Sequence, residues 1–306
     1  MFKVFIDGRE GTTGLRIIER LEGRDDIELM LIDEALRKDP TERRKYLNNC
    51  DVAFLCLPDA AAIEAVSMIE NDAVRVIDTS TAHRTNKEWV YGFPELKSEI
   101  KNALPTAKRV AVPGCHASGF IAIVSPLRQA GIIDKDARLT CFSLTGYSGG
   151  GKKMIAEYES EKTDELYSPR VYSLSQEHKH LREMAAICEL ENAPVFSPIV
   201  DDYYSGMLVT VPFFGCDVKG GIEAVKKAYL DKYKDSEFVR VCEADSAMLG
   251  SNNLSGKDIM EIFVCGNEER FTVSARFDNL GKGASGAAVQ CMNIMLGINQ
   301  KEGLDI

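Results

Sequence analysis

Four groups of residues in this chain have types and spacings that could carry chemistry. In Val112-Pro113-Gly114-Cys115-His116-Ala117-Ser118-Gly119-Phe120 a cysteine stands where a Pro-Gly turn gives way to a predicted helix. The free N–H groups and dipole at a helix start favour the thiolate, which is the nucleophilic form. The turn should present the sulfur rather than bury it, whereas His116 is expected to face solvent or cap the turn. Downstream, Gln176-Glu177-His178-Lys179-His180-Leu181-Arg182-Glu183-Met184 holds two of the four histidines. On a helix, residues two apart point in roughly opposite directions, so only one of His178 and His180 should reach a given atom unless the segment begins extended. Glu183, three residues after His180, is placed to fix its tautomer if both are helical. No third ligand stands at metal spacing, so no metal site is expected.

A third group, Gly8-x-x-Gly11-x-x-Gly14, follows a short apolar strand and opens a helix. Glycines there allow a tight turn, a close approach of pyrophosphate and close packing of helix on strand, and the helix start supplies N–H groups to an anion. This makes Gly8, Gly11, Thr12, Thr13 and Gly14 candidate dinucleotide contacts. After the second predicted strand, Asp33 suits a ribose hydroxyl, as in NAD binding, while Arg37 and Lys38 suit the 2′-phosphate of NADP; residue chemistry leaves both open. The fourth group comprises Gly146–Lys153 and Asn279–Gly286, each polar, glycine-rich and followed by a helix. Gly149 and Asn279 are candidate anion contacts there, with helix capping by Ser148 or Ser285 as the alternative. Ser80, in Asp78-Thr-Ser-Thr-Ala-His83-Arg84, ends a strand at the edge where nucleotide folds bind ligands.

The elements that must position these residues follow a clear order. Strands at 3–6, 27–32, 52–57 and 74–77 alternate with helices at 13–21, 40–47 and 60–69, the pattern of a doubly wound parallel sheet. Leu15, Ile17, Ile18 and Leu21 form the apolar face of the first helix, and Asp59 is placed to cap the third. Beyond residue 113 a helix at 117–130 leads into longer strands at 138–144, 195–200, 207–214, 238–242, 259–265 and 270–277, with 219–233 the one clear helix among them. That reads as an α+β domain with a largely antiparallel or mixed sheet. The last helix, 284–296, is apolar around much of its circumference and should pack back across a domain. The expected division is a dinucleotide-binding domain at 1–114, joined by 284–306, and a catalytic and oligomerisation domain at 115–283.

Composition limits the remaining choices. Lys plus Arg total 37 against 47 Asp plus Glu, a net charge of −10, which disfavours a nucleic-acid surface. No apolar run reaches the roughly 18 residues of a membrane span. Nine widely spaced cysteines without CxxC pairs argue against a disulfide framework or a zinc site. With an N-terminus that reads directly as a strand, a cytoplasmic protein is expected.

Taken together and in order, DGREGTTG (7–14), IDTSTAHR (77–84), YGFPEL (91–96), VPGCHASGF (112–120), GYSGGGK (146–152), HKHLREM (178–184), GMLVTVP (206–212) and NLGKGASGAAVQ (279–290) resemble the N-acetyl-γ-glutamyl-phosphate reductases in their shorter form. The resemblance implies a Rossmann-type domain followed by one similar to that of glyceraldehyde-3-phosphate dehydrogenase. It also implies NADPH as cofactor, an acyl-phosphate substrate, a homo-oligomer (dimer or tetramer), and a place in arginine biosynthesis. It makes Cys115 the catalytic thiol and His178 or His180 the acid–base group, and brings the C-terminal helix back to the nucleotide domain. The family pattern has a proline at the position of Arg182, so the helix start after His180 is open to displacement. Arg84, Arg182 and Arg276 are unranked candidates for the substrate carboxylate. The alternatives are a related acyl-phosphate reductase, such as an aspartate-semialdehyde dehydrogenase, or a non-catalytic sensor of NADP(H).

Overall fold

In the computed structural model, which describes Met1–Ile306, the chain divides into two units: Met1–Gly114 with Ala284–Leu304, and Cys115–Gly283 with Asp305–Ile306. The first unit contains β1 (Phe2–Asp7), α1 (Thr12–Leu21), β2 (Ile27–Met30), α2 (Pro40–Asn49), β3 (Val52–Leu55), α3 (Asp59–Ser67), β4 (Arg75–Asp78), β5 (Val90–Tyr91), α4 (Ser98–Ala103) and β6 (Arg109–Ala111). Its six strands pair in parallel in the order β2-β1-β3-β4-β6-β5. The run Val52–Leu55 is apolar throughout because helices cover both faces of the sheet and all four residues are buried. On one face Ile17 and Leu21 pack with Val4 and Phe54, joined by Ala288 and Met292 of the last helix. On the other, Leu47, Ala62 and Ala65 pack with Phe5, Ala53 and Leu55. Since β2 lies on one side of β1 and β3 on the other, the carboxyl ends of β1 and β3 flank the switch point where such sheets bind ligands.

Two local expectations are corrected here. Leu15 is 42% exposed; the contact face of α1 runs through Gly14, Ile17 and Leu21, and Leu15 is turned about 100° from Gly14. Asp59 does not cap from outside the third helix but is its first residue, and its carboxylate accepts hydrogen bonds from the backbone N–H (2.8 Å) and hydroxyl of Thr81 instead.

The second unit contains α5 (Cys115–Gln129), β7 (Thr140–Gly146), α6 (Gly151–Glu159), β8 (Arg170–Val171), α7 (His180–Ile187), β9 (Val195–Asp201), β10 (Met207–Phe214), α8 (Gly221–Tyr233), β11 (Val239–Cys242), β12 (Met260–Gly266) and β13 (Arg270–Phe277). Thus α6 and α7 join α8 as helices among the later strands. The seven strands form a mixed sheet in the order β11-β12-β13-β10-β7-β9-β8. Along β10, Met207, Val209, Val211 and Phe213 are buried and the alternate residues are not, the period of a sheet covered on one face. Helix α5 lies on the covered face so closely that a side chain at Gly119 would meet Val209 at 2.5 Å. The hydroxyls of Tyr229 and Tyr233 on α8 donate to the carbonyls of Ile123 and Ala122, at 2.7 and 2.8 Å. The opposite face leaves Phe142, Val195 and Phe214 exposed.

The chain ends with α9 (Gly286–Leu296), preceded by a π-helical turn at Gly281–Ser285. Residues 284–304 belong to the first unit. The expectation that 284–306 does so as a whole is corrected for Asp305 and Ile306, because Asp258 and Asp305 exchange two hydrogen bonds (2.6 and 3.0 Å) and Lys257 pairs with Asp305. No helix is long and apolar enough to cross a membrane.

Candidate active site

Cys115 is the first residue of the 15-residue helix α5 and is half-buried. A side chain at Gly283 would come within 3.2 Å of its Cβ and 3.0 Å of the Asp278 carbonyl oxygen, so the backbone of that turn packs closely against the start of α5. All nine cysteines are free thiols. Burial pushes Cys50 and Cys56 up to about 12 and raises Cys141 as well, which makes these three poor nucleophiles at neutral pH.

Around the start of α5 the second unit gathers three of the four histidines. The His116 ring lies 5.5 Å from that of His178 and 5.6 Å from that of His180, and the latter two are 4.7 Å apart. Phe196 on β9 packs edge-on against His116 and His178, at 5.3 and 5.2 Å. The limit that a continuous helix would set on the pair does not apply. His178 precedes α7 while His180 is its first residue, so they are not separated by 200° of helix. Arg182, the position at which the resemblance implies proline, sits exposed inside α7, and the helix starts at His180.

His116 is also corrected: it is buried, not solvent-facing. Its Nδ1 lies 2.6 Å from Ser143 Oγ on β7 and its Nε2 2.5 Å from the Tyr172 hydroxyl. Burial, helped by His178, brings His116 down to about 3, so the ring is neutral at physiological pH. Burial and the charge of Lys179 hold His178 down to about 4, not near 7 as expected of an acid–base group. His178 Nδ1 accepts from the backbone N–H of His180 at 3.1 Å, which puts the hydrogen of the neutral ring on Nε2. Glu183 is buried in the same turn of α7 as His180. No group of three or more His, Cys, Asp or Glu side chains is arranged to hold a metal ion.

The glycine loop of the first unit separates structural from ligand-facing positions. Gly8 has φ +88°, and a Cβ there would lie 2.3 Å from the Cys56 carbonyl oxygen; one at Gly14 would lie 2.7 Å from that of Gly8. Gly11 has an ordinary extended backbone, with nothing closer than 3.4 Å to an added Cβ. Just beyond it, Thr12 Oγ1 is buried without a hydrogen-bond partner. An open glycine followed by an orphaned hydroxyl at a helix start fits a bound pyrophosphate.

Nearby, Gly8, Arg9, Glu10, Arg37 and Lys38 border a cavity of about 220 Å³. Arg43 also borders it, but is held by Asp7 at 2.9 Å and Glu64 at 3.0 Å. Asp33, the residue that would favour NAD, instead caps a 3₁₀ turn by accepting from the Ala35 N–H at 2.8 Å. Asp33 does not border the cavity, whereas Arg37 and Lys38 do, beside Arg9, which pairs with Glu10 at 3.4 Å; these cations have the sign a 2′-phosphate needs.

Other expected contacts are engaged inside the protein. The Ser80 hydroxyl donates to Asp78 (2.7 Å), whose carboxylate also meets His83 Nδ1 at 2.6 Å. Asn279 accepts from the Gly206 N–H (2.9 Å) and donates to Ser148 Oγ (3.0 Å). Ser148 and Ser285 cap neither following helix through their side chains. Gly149 is exposed in the 3₁₀ turn Tyr147–Gly150. Of the three arginines considered for a substrate carboxylate, Arg276 is neutralised by Glu261 at 2.7 Å, and Arg84 donates to the carbonyls of Val112 and Thr79.

Residues 32–103 match the NAD-binding domain of semialdehyde dehydrogenases, and residues 115–279 their dimerisation domain. N-acetyl-gamma-glutamyl-phosphate reductase of Sinorhizobium medicae is 46% identical over 305 residues, covering 96% of this chain and 98% of that protein. N-acetyl-gamma-glutamyl-phosphate reductase 2 of a Nostoc species is 43% identical over 318 residues, covering 99% of each. The chain belongs to the N-acetyl-gamma-glutamyl-phosphate reductase family. In fold it is similar to aspartate semialdehyde dehydrogenase II from Vibrio cholerae, with a TM-score of 0.72 at 17% identity over 97% of this chain and 99% of that one. The Francisella tularensis aspartate semialdehyde dehydrogenase gives 0.71 at 14% identity, over 97% and 100%.

Sequence reasoning passed over Arg9, Ser143 and Tyr172. Arg9 could have been flagged as a cation inside the glycine loop, and Ser143 as a polar residue at an inward position of β7. Nothing in the local sequence marks Tyr172.

Proposed function

We propose that the protein reduces N-acetyl-L-glutamyl 5-phosphate to N-acetyl-L-glutamate 5-semialdehyde with NADPH, releasing phosphate, as a step of arginine biosynthesis. The observation that carries the reading is Cys115, half-buried at the first turn of α5 with His116 beside it and His178 and His180 grouped about that ring. The thiolate attacks the acyl carbon, the carbonyl electron pair moves to oxygen, and collapse expels phosphate to leave a thioester on Cys115. The covalent step matters because a thioester accepts a hydride readily, whereas a carboxylate does not. When bound, NADPH supplies that hydride. Backbone N–H groups at the start of α5 stabilise the oxyanion. His178 or His180 moves the proton that accompanies loss of the thiolate and formation of the aldehyde.

Gly8, Gly11, Thr12, Thr13 and Gly14 cradle the pyrophosphate, and Arg37 and Lys38 hold the 2′-phosphate. The protein works as a homo-oligomer, a dimer or tetramer, joined through the face of the second unit's sheet that exposes Phe142, Val195 and Phe214. Nine free thiols suit a reducing cytoplasm.

The test is phosphate-dependent reduction of NADP⁺ by N-acetylglutamate semialdehyde, with aspartate semialdehyde alongside, in wild type and Cys115→Ala. Turnover of the acetylated substrate alone, abolished by the substitution while NADPH still binds, is the expected result. Substantial activity in Cys115→Ala would overturn the thioester route.

A further inference from the structure

Ser143, His116 and Tyr172 form a hydrogen-bonded chain whose polarity is decided by burial. Ser143 Oγ is 2.6 Å from His116 Nδ1, and His116 Nε2 is 2.5 Å from the Tyr172 hydroxyl. A neutral imidazole has one donor nitrogen and one acceptor nitrogen, so only two arrangements are open. If Tyr172 donated to Nε2, Nδ1–H would donate to Ser143, and the serine hydrogen would be stranded at a residue with 0% exposure. Stranding a buried donor is unfavourable. If Ser143 donates to Nδ1, then Nε2–H donates to Tyr172 and the phenolic hydrogen is left over. Tyr172 is half-buried, so that hydrogen is the one that can meet a ligand.

Two observations bring this donor to the reacting sulfur. His116 is the residue immediately after Cys115 on α5. Tyr172 is a neutral phenol, raised by burial and also by the charge of Cys115, so the two lie within electrostatic reach.

We propose that Tyr172 is a further catalytic residue, a neutral hydrogen-bond donor to the oxyanion formed on the Cys115-bound carbon, and that Ser143 and His116 are positioning residues that aim its hydroxyl. The inference rests on the Cys115 thioester reading. In the first half-reaction the S–C bond forms and the carbonyl pair moves to oxygen, which accepts from Tyr172; the pair returns as the C–O bond to phosphate breaks. After reduction the same oxygen is again negative, and the C–S bond breaks with its pair on sulfur. Tyr172 keeps its proton throughout.

The experiment measures kcat and both KM values for Tyr172→Phe, His116→Gln and the double variant, beside wild type and Cys115→Ala. Loss of one preorganised oxyanion donor lowers kcat about 10²-fold. The expected result is therefore a drop of that order in Tyr172→Phe, with the KM values for NADPH and acyl phosphate within about twofold. The double variant should be no slower than the slower single one, because both act through one hydroxyl. A purely structural role would raise KM or lower thermal stability in step with kcat, and would overturn the proposal. So would a Tyr172→Phe kcat within about threefold of wild type, or multiplying effects in the double variant. If His116→Gln fails to fold, Tyr172→Phe, which keeps the ring, decides alone. Activity in Cys115→Ala would sink the thioester reading itself, whereas an inactive Cys115→Ala with an unimpaired Tyr172→Phe would sink only this inference.

Discussion

Replacing Gly11 with alanine separates what the glycine loop does for the fold from what it does for a ligand. The backbone at Gly11, with φ −72° and ψ 159°, is one any L-residue adopts. The nearest atoms to an added Cβ are carbonyl oxygens at 3.4 and 3.8 Å, ordinary contacts. The fold should therefore lose no more than the difference between glycine and alanine as an N-cap, about 1 kcal/mol or less. On the proposed reading, the methyl group stands where the pyrophosphate approaches the N–H groups at the start of α1. Losing one charge-assisted hydrogen bond there costs about 1.5–3 kcal/mol, or roughly 10- to 100-fold in the NADPH dissociation constant. Gly14→Ala should behave in the opposite way. Its Cβ would press on the Gly8 oxygen at 2.7 Å and Arg9 Cα at 2.8 Å, so the apoprotein itself is destabilised. Urea denaturation of the apoproteins and calorimetric titration with NADPH measure the two quantities independently. A folded Gly11→Ala protein that binds NADPH within twofold of wild type would refute the reasoning.

Three further outcomes are expected. Neutralising Arg37 and Lys38 together should raise the KM for NADPH at least tenfold and leave that for NADH nearly unchanged, because only NADPH carries the 2′-phosphate; steady-state kinetics with both cofactors check this. His116 is lowered from its ordinary 6.5 to about 3 by burial, so the unfolded state binds the extra proton between those values and stability falls as pH is lowered through that window, by up to about 1.4 kcal/mol per pH unit. His116→Gln should flatten the fall between about pH 6 and 4 by about that slope in urea titrations; an unchanged slope would contradict the burial argument. Phe142→Asp, on the exposed face of the second unit's sheet, should give a smaller particle in light scattering without loss of secondary structure, and an unchanged mass would remove that face as the contact.

Much of this protein was legible in its residue order. Alternating strands and helices, a continuous apolar run at Val52–Leu55 and glycines between β1 and α1 specify a parallel nucleotide sheet, because each is a local property of a buried strand or a tight turn. Cys115 was legible for the same reason: the Pro113-Gly114 turn and the helix after it are adjacent in the chain. What tertiary structure alone decided are contacts between residues distant in sequence. Asp33 and the pair Arg37 and Lys38 read as rival ligands in the sequence, and only the folded chain has Asp33 capping a 3₁₀ turn while Arg37 and Lys38 border the cavity. His116 reads as a surface residue until the covered face of the sheet closes over it, because burial depends on what other strands bring there. Ser143 and Tyr172 come from 27 and 56 residues away, and only the pairing of β7, β9 and β8 sets them against the helix that begins with the thiol.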